Sequence, residues 1–424
     1  MKKWFFLFAL ITLAALFLRF WHFPQLVNFH LDPPLFMHDV SQMVEEGKLS
    51  LIGPRVDSKI IEGRFIFTGP TFYYLLAILA LALNWNIVLM TGFFALLWVV
   101  TFILIFFWLR QRFGDFIALI VYALLSFLPW LLPYSRIIWN PHLIPFFGIL
   151  LIWFLEKRGE RRLFYLLAGL SFGLAFSIHY AAVLWGPLLL YYLVKDVRGK
   201  NAVKQGWLLF AGGAVFANLP FLLFELRHDF YNLRTLVFQF KYFKPSEGYT
   251  FSFRSQYYYY IFPFIPLIAK AYALGLEKLK KILDFKILVV SQVVLMSAFF
   301  LYSLFGPQRE ALINPEGWTI ERQKLAAGLI IEDNETGFEV ATVIDSDTRA
   351  GELRWWLKRA GYEPMSVIDY DKTDILYLVA PESRPPETET VWEVKSLRPF
   401  KIEKKIDLGE DFIFYKLVRN SRTP

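Results

Sequence analysis

The stretch "FHLDPPLFMHDV" (residues 29–40) sets two carboxylates, Asp32 and Asp39, and two imidazoles, His30 and His38, directly after the first apolar run of the chain. A carboxylate can act as general base, taking the proton from a hydroxyl as its oxygen attacks. Beside hydrocarbon it is costly unless it faces water or a partner. A purely structural reading competes. Asp32 precedes Pro33–Pro34, which predicts an extended or turn conformation. Asp39 enters a predicted helix, "FMHDVSQMVEEGK", where an acid favours the helix dipole. His22, His30 and His38 recur every eight residues and raise a divalent metal. They lack the three- or four-residue spacing of a helical zinc site.

Cations supply the complementary chemistry. "YSRIIWNPH" puts Arg136 and Asn140 four apart, a spacing that predicts a shared helical face. "FELRHDFYNLR" gathers Glu225, Arg227, His228, Asp229 and Arg234 at the end of another apolar run. "EGRFIFTGP" adds Glu62 and Arg64. Arginine suits bidentate binding of phosphate, and a lipid phosphate lies at this depth of a membrane. His179, in "AFSIHYAAV", reads as a hydrogen-bonded turn histidine. "DSD" (345–347) is similar to the DxD of nucleotide-sugar enzymes, but a turn or N-cap before "TRAGEL" is the expectation. No P-loop, GxSxG or HExxH occurs.

These residues need elements to position them. The chain has 424 residues, 56% of them hydrophobic, and a mean hydropathy of +0.42. That is more apolar than a soluble domain. The 45 Phe, 21 Tyr and 14 Trp fit aromatic belts at lipid interfaces. The absence of cysteine excludes disulfides, thiolate chemistry and iron–sulfur clusters. The net charge of +8 reads as basic cytoplasmic loops rather than as a nucleic-acid surface.

Apolar runs at 4–20, 86–108, 116–134, 141–156, 163–178, 181–194, 206–225, 256–275 and 285–305 predict about nine spans, the first an uncleaved one. The run 71–84 is ambiguous. If it lies along the membrane or re-enters it, the basic loops 110–114, 156–162, 195–204 and 276–286 all fall on the side of Lys2 and Lys3. Orientation follows Lys and Arg in short loops, so the N-terminus is expected inside. All six histidines then lie in, or within two residues of, extracytoplasmic segments, the longest of which among the first 305 residues is 21–85. Residues 306–424 predict a small extracytoplasmic α/β domain behind a membrane domain of 1–305. Its strands are expected at 338–345, 373–381, "VWEVKSL", "FKIEKKIDLG" and "FIFYKLVR", with a helix over 349–362.

Four short motifs add a resemblance. Gly69–Pro70 with Tyr73–Tyr74, Ser135–Arg136 with Trp139–Asn140–Pro141, His179–Tyr180, and Leu226–Arg227–His228 with Phe230 follow one another in this order. The pattern is similar to the GT-C membrane glycosyltransferases, the broad group of the protein O-mannosyltransferases and the lipid A aminoarabinose transferase, and looks closest to prokaryotic family-39-like members. It covers about residues 1–245. The resemblance implies a polyprenyl-phosphate sugar donor, a lipid, glycan or protein acceptor, transfer on the extracytoplasmic face, and an aspartate of the first loop as base. Relatives carry an acid pair in that loop. Here "LFMHD" keeps its last acid, Asp39, and has Leu35 at the first position, unless the Pro-Pro pair shifts that role to Asp32.

The combined expectation is an inverting glycosyltransferase with Asp39 or Asp32 as base. Arg64, Tyr73, Arg136, Asn140, His179, Arg227 and His228 are expected to line the donor-phosphate site. No cofactor is required by the motifs, and a divalent metal is an open possibility. A polyprenyl-lipid transporter or flippase, or a scaffold that has lost its base, are the alternatives.

Overall fold

The computed structural model describes residues 2–61, 63–198, 203–242, 255–306, 315–345 and 347–420. Glu62 therefore lies outside the described residues. In chain order, α1 (Lys2–Phe20), α2 (Phe23–Leu26) and α3 (Asp32–Glu45) precede an antiparallel pair, β1 (Arg55–Ile61) and β2 (Arg64–Phe67). Helices α4 (Thr71–Ala82), α5 (Ile87–Phe127), α6 (Ile144–Lys157), α7 (Leu163–Ile178), α8 (Gly186–Arg198), α9 (Val203–Ala217), α10 (Leu219–Arg227), α11 (Tyr231–Tyr242), α12 (Ile265–Leu279) and α13 (Phe285–Phe305) follow. The last stretch holds α14 (Ile320–Asp333), β3 (Phe338–Thr342), α15 (Gly351–Arg359), β4 (Ile375–Pro381), α16 (Trp392–Lys395), β5 (Phe400–Asp407) and β6 (Phe412–Arg419).

The chain is a multi-pass membrane protein, mostly helical, with a small sheet near its C-terminus. It forms two compact units. One comprises residues 1–21 and 40–311, the other 22–39 and 312–424. The boundary drawn from sequence at 305/306 thus misses the first-loop segment, which joins the α/β unit.

In the helical unit every run read as a span is at least partly helical. Four helical stretches among the described residues are long and apolar enough to cross a membrane, or five if the pair α9 and α10, bent by 69°, is one span. The runs expected at 86–108 and 116–134 form one 41-residue element, α5, broken at Gly114 by a φ of 77°. It ends at Phe127 because Pro129 and Pro133 restrict the next residues to single 3₁₀ turns. The 12 residues of α4 span about 18 Å, less than the ~30 Å of a bilayer core. Close backbone approach joins α7 to α9. A Cβ at Gly169 would stand 2.0 Å from the Phe210 carbonyl oxygen. Small residues at such crossings replace the hydrophobic drive that lipid removes.

Asp196 ties four helices of this unit together. It accepts from Arg158 Nε at 2.9 and 3.0 Å, from the Tyr165 hydroxyl at 2.7 Å and from Trp207 Nε1 at 3.1 Å. These residues stand at the ends of α6, α7, α8 and α9.

In the α/β unit the sheet runs β3-β4-β6-β5, with β3 parallel to β4 and the other pairs antiparallel. Period-two alternation builds both cores. Phe338, Val340, Tyr377, Val379, Phe412 and Phe414 pack with α14 and α15, and Leu376, Leu378, Ala380, Ile413, Tyr415 and Leu417 form the other face. "VWEVKSL" is not a strand. Val391, Val394 and Leu397 recur every three residues, so a helical turn, α16, turns them together into the second core.

Candidate functional site

In the helical unit, four sequence motifs meet through hydrogen bonds. Gly69 ends the turn after β2, where a Cβ would lie 2.2 Å from Ser177 Oγ. Thr71 Oγ1 and Ser177 Oγ are 2.7 Å apart. Both backbone groups of Phe67 are used: its N–H donates to Asn232 Oδ1 at 2.8 Å, and its carbonyl accepts from the Tyr180 hydroxyl. Glu225 accepts from the Asn232 N–H at 3.0 Å and the Leu233 N–H at 3.2 Å, so it caps the start of α11 and presents Asn232 to β2. Asn140 Nδ2 donates to the Ile178 carbonyl at 2.8 Å. Segments 65–71, 140, 177–180 and 225–233 therefore form one knot.

The predicted residues divide within this unit. Asn140 and Tyr73 are buried. His179 accepts from the Ala181 N–H through Nδ1 at 3.0 Å and meets Tyr259 edge-on, as a turn histidine should. Arg64 is exposed, with its guanidinium 4.3 Å from the Phe238 ring centroid. Arg227 and His228 are exposed. His228 lies on Phe224 with ring centroids 4.3 Å apart. From "FELRHDFYNLR", then, the buried knot takes Glu225 and Asn232, not the basic pair. An acid seven residues before the second residue of a helix was the available signal for this cap.

Arg136 and Asn140 share no helical face. Two 3₁₀ turns, Pro133–Arg136 and Asn140–Leu143, flank an extended stretch at Ile137 and Trp139. The prolines of the segment prevent a continuous helix. Arg136, 4% exposed, donates through Nη2 to the Leu18 carbonyl at 2.9 Å. Arg19, fully buried, is a cation that motif reading passed over. Its Nη1 donates to the Ala15 and Ser126 carbonyls, each at 3.1 Å, near the C-terminal ends of α1 and α5. Cations are favoured there by the helix dipole. A lone charge closing an apolar run was the signal for it.

In the α/β unit, the Pro-Pro pair opens a helix instead of extending the chain. Asp32 is the first residue of α3 and Pro33–Pro34 follow in its first turn, where proline's missing N–H costs nothing. Asp32 and Asp39, seven residues apart, fall on one face of α3, about 10 Å apart along its axis. Leu35 lies between them on that face. Asp39 is exposed and Asp32 half-buried, while Phe36, Met37 and Val40 are buried.

The residues just before α3 are held by ions. His30, 2% exposed, stands between two carboxylates, with Nε2 2.8 Å from Asp345 Oδ2 and Nδ1 3.1 Å from Glu352 Oε1. Both partners accept, so the ring carries a proton on each nitrogen. Burial alone would lower its pKa, but Glu352 and Asp345 outweigh burial and raise it to about 10. Asp345 Oδ1 also accepts from the Asp347 N–H at 2.8 Å, a local side-chain-to-backbone bond of the kind turns use, with Ser346 between them outside the described residues.

Among the described residues no three His, Asp or Glu side chains are placed to hold a metal ion. His30 is committed to its carboxylates, His38 meets Trp355 edge-on, and His22 is exposed in a left-handed backbone conformation. The eight-residue histidine spacing therefore does not converge on one point.

Residues 68–224 match the family described as dolichyl-phosphate-mannose-protein mannosyltransferase. The fold is similar to a crystal structure of ArnT from Cupriavidus metallidurans bound to undecaprenyl phosphate. That match has a TM-score of 0.61 at 12% identity and covers 100% of this chain and 99% of that one. The apo state of the same protein matches with a TM-score of 0.61 at 12% identity, covering 98% of each chain. No curated protein matches the sequence.

Proposed function

The chain has a GT-C-like fold, and on that premise we propose that it is a glycosyltransferase. It transfers a sugar from a polyprenyl-phosphate carrier to an acceptor hydroxyl on the extracytoplasmic face of the membrane. The observation that carries this reading is the knot itself. Phe67 and Thr71, Asn140, Ser177 and Tyr180, and Asn232 belong to four stretches of the sequence, yet they are bonded into one wall. The family match begins within this wall, at residue 68.

Asp39 is the base in this reading, being the exposed acid of α3, and Asp32 is the alternative on the same face. The carboxylate takes the acceptor hydroxyl's proton as the oxygen attacks the anomeric carbon. The bond from that carbon to the phosphate oxygen breaks, and the lipid phosphate leaves with the electron pair. A single displacement inverts the anomeric centre. The exposed Arg64 and Arg227 are assigned to the departing phosphate, where fixed positive charge lowers the barrier, and His228 to a hydrogen bond with it. Tyr73, Asn140 and His179 shape the wall. Arg136 holds the end of α1 through the Leu18 carbonyl, a scaffolding role.

The test is transfer by the purified protein in lipid nanodiscs, with undecaprenyl-phosphate hexoses and pentoses as donors. Asp39→Asn is expected to slow transfer by about 100-fold or more. Unchanged transfer in both Asp39→Asn and Asp32→Asn would sink the base assignment. Carrier-lipid binding without sugar release from any donor would turn the reading to a lipid transporter. Orientation has its own check. A reporter fused after residue 114 is expected in the cytoplasm, and an outside signal would overturn the topology.

A further inference from the structure

The segment 22–39 is built into the α/β unit more like one of its own elements than like a loop resting on it. The Phe29 carbonyl accepts from Gln323 Nε2 at 3.2 Å, and Gln323 Oε1 accepts from Trp356 Nε1 at 3.2 Å. The Phe29 ring packs on Trp355 and Trp356 with centroids 6.3 and 5.4 Å away. The His30 N–H donates to Asn28 Oδ1 at 3.1 Å. Glu352 Oε1, which holds His30, also accepts from Trp318 Nε1 at 2.9 Å. Leu31 then takes a φ of 61°, a conformation a leucine adopts only when its surroundings impose it. The next residue is Asp32, the start of the helix that carries both candidate bases.

We infer that His30, clamped between Asp345 and Glu352, is a positioning residue that fixes the direction and register of α3, so that the C-terminal α/β unit sets where the base stands. This deepens the proposed function and rests on it for its catalytic consequence. The physical argument is short. An imidazolium with a carboxylate on each nitrogen has two directional bonds, which fix the ring in its plane. One residue, Leu31, separates that ring from the first turn of α3. A displacement of the His30 backbone is therefore delivered to the helix with little slack. Charged groups around the clamp support it: Asp347 lies close enough to feel the His30 charge and is itself tied to Arg349.

The experiment uses the full-length protein in nanodiscs. His30→Gln keeps a side chain of similar length and removes the charge. It is expected to lower kcat by about 10- to 100-fold, as a misplaced catalytic group does, while KM for the carrier-linked donor changes less than about 2-fold. A defect in general folding would move both. Asp345→Asn/Glu352→Gln is expected to lower kcat similarly, and adding His30→Gln to that pair is expected to cost little more, because the three act as one unit. Hydrogen exchange of the 32–45 amides supplies a readout independent of turnover. Exchange there is expected to rise at least about 10-fold in His30→Gln, with that of 87–127 unchanged. Unaltered exchange of 32–45, or fully additive losses in the cycle, would overturn the clamp. If wild-type protein shows no transfer at all, the exchange result still decides the clamp, and the failure belongs to the proposed activity.

Discussion

Asn140 and His30 each fasten a segment that carries motif residues, and they do it by opposite means. In the helical unit the knot is fastened by neutral hydrogen-bonding groups. The Asn140 amide, the Tyr180 hydroxyl and the Asn232 amide all bond backbone groups, and the acid of that knot, Glu225, is held by backbone N–H groups. In the α/β unit the fastening is an imidazolium between two carboxylates. An ion pair bears a desolvation cost that a neutral amide avoids, and the helical unit takes on that cost away from the knot, where Arg158 and Asp196 join four helix ends. The α/β unit holds its buried ion cluster because the carboxylates are also satisfied by nearby donors, here Trp318 and the Asp347 N–H. One consequence is that pH should act on the two units unequally.

The sharpest way to break this contrast is Glu352→Ala. It leaves the buried His30 charge half-compensated and should destabilise the α/β unit by about 3–5 kcal/mol. Hydrogen exchange of 315–420 would rise while exchange of 87–178 stays near wild type. Equal loosening of both units would mean that the clamp is not local. A pH titration comes next. The folded pKa of His30 is raised to about 10 from an ordinary value near 6.5. Its stabilising contribution is therefore complete below about 6.5 and lost as pH rises through about 10. Asp333 has the opposite sign. Burial would raise its pKa, but Lys404 and Lys416 hold it below the usual carboxylate value. Its contribution is present above pH ~4 and lost as pH falls below that value. Melting followed by exchange from pH 6 to 10.5 should weaken the α/β unit and leave the 65–71 segment unaffected.

Smaller effects sharpen the neutral side. Gly69→Ala drives a methyl to 2.2 Å from Ser177 Oγ and should cost about 1–3 kcal/mol by overpacking. Its melting temperature should be restored in part by Ser177→Gly, and no restoration would show that the clash is relieved elsewhere. Asn140→Ala removes the bond to the Ile178 carbonyl and should cost about 1–2 kcal/mol. Thermal unfolding at pH 6 and pH 9 should give the same loss. A loss that grows with pH would remove the neutral character assigned to this contact.

Periodicity made much of the fold readable. The alternation in "FEVAT" and "ILYLVAP" and the run "FIFYKLVR" predicted β3, β4 and β6, and the apolar runs predicted the helices. "VWEVKSL" misled because its apolar residues fit periods of two and three, and only the core decides between them. The side-chain-to-backbone bond within "DSD" and the turn role of His179 were legible because both are local. What spacing could not reveal was contact across the chain. Nothing around His30 points to Asp345 or Glu352, more than 300 residues away. The shared helical face expected of Arg136 and Asn140 failed for a local reason: the prolines between 133 and 141 break the segment into two short turns. Proline at the start of a helix also reversed the expectation for Asp32.

The clamp has a consequence in time. His30 and Glu352 are 322 positions apart, so during synthesis the segment 22–39 is made long before its partners. At ~5–20 residues per second the wait is roughly 20–60 s. Through that interval Phe29 and His30 lack the surfaces that later bury them, and the helix bearing Asp32 and Asp39 has no fixed anchor. The candidate base is thus placed only once the α/β unit has folded. A chain ended after residue 340 should insert its helices normally yet show fast amide exchange over 32–45. Protected amides there in the shortened chain would show that the segment finds its place without its late partners.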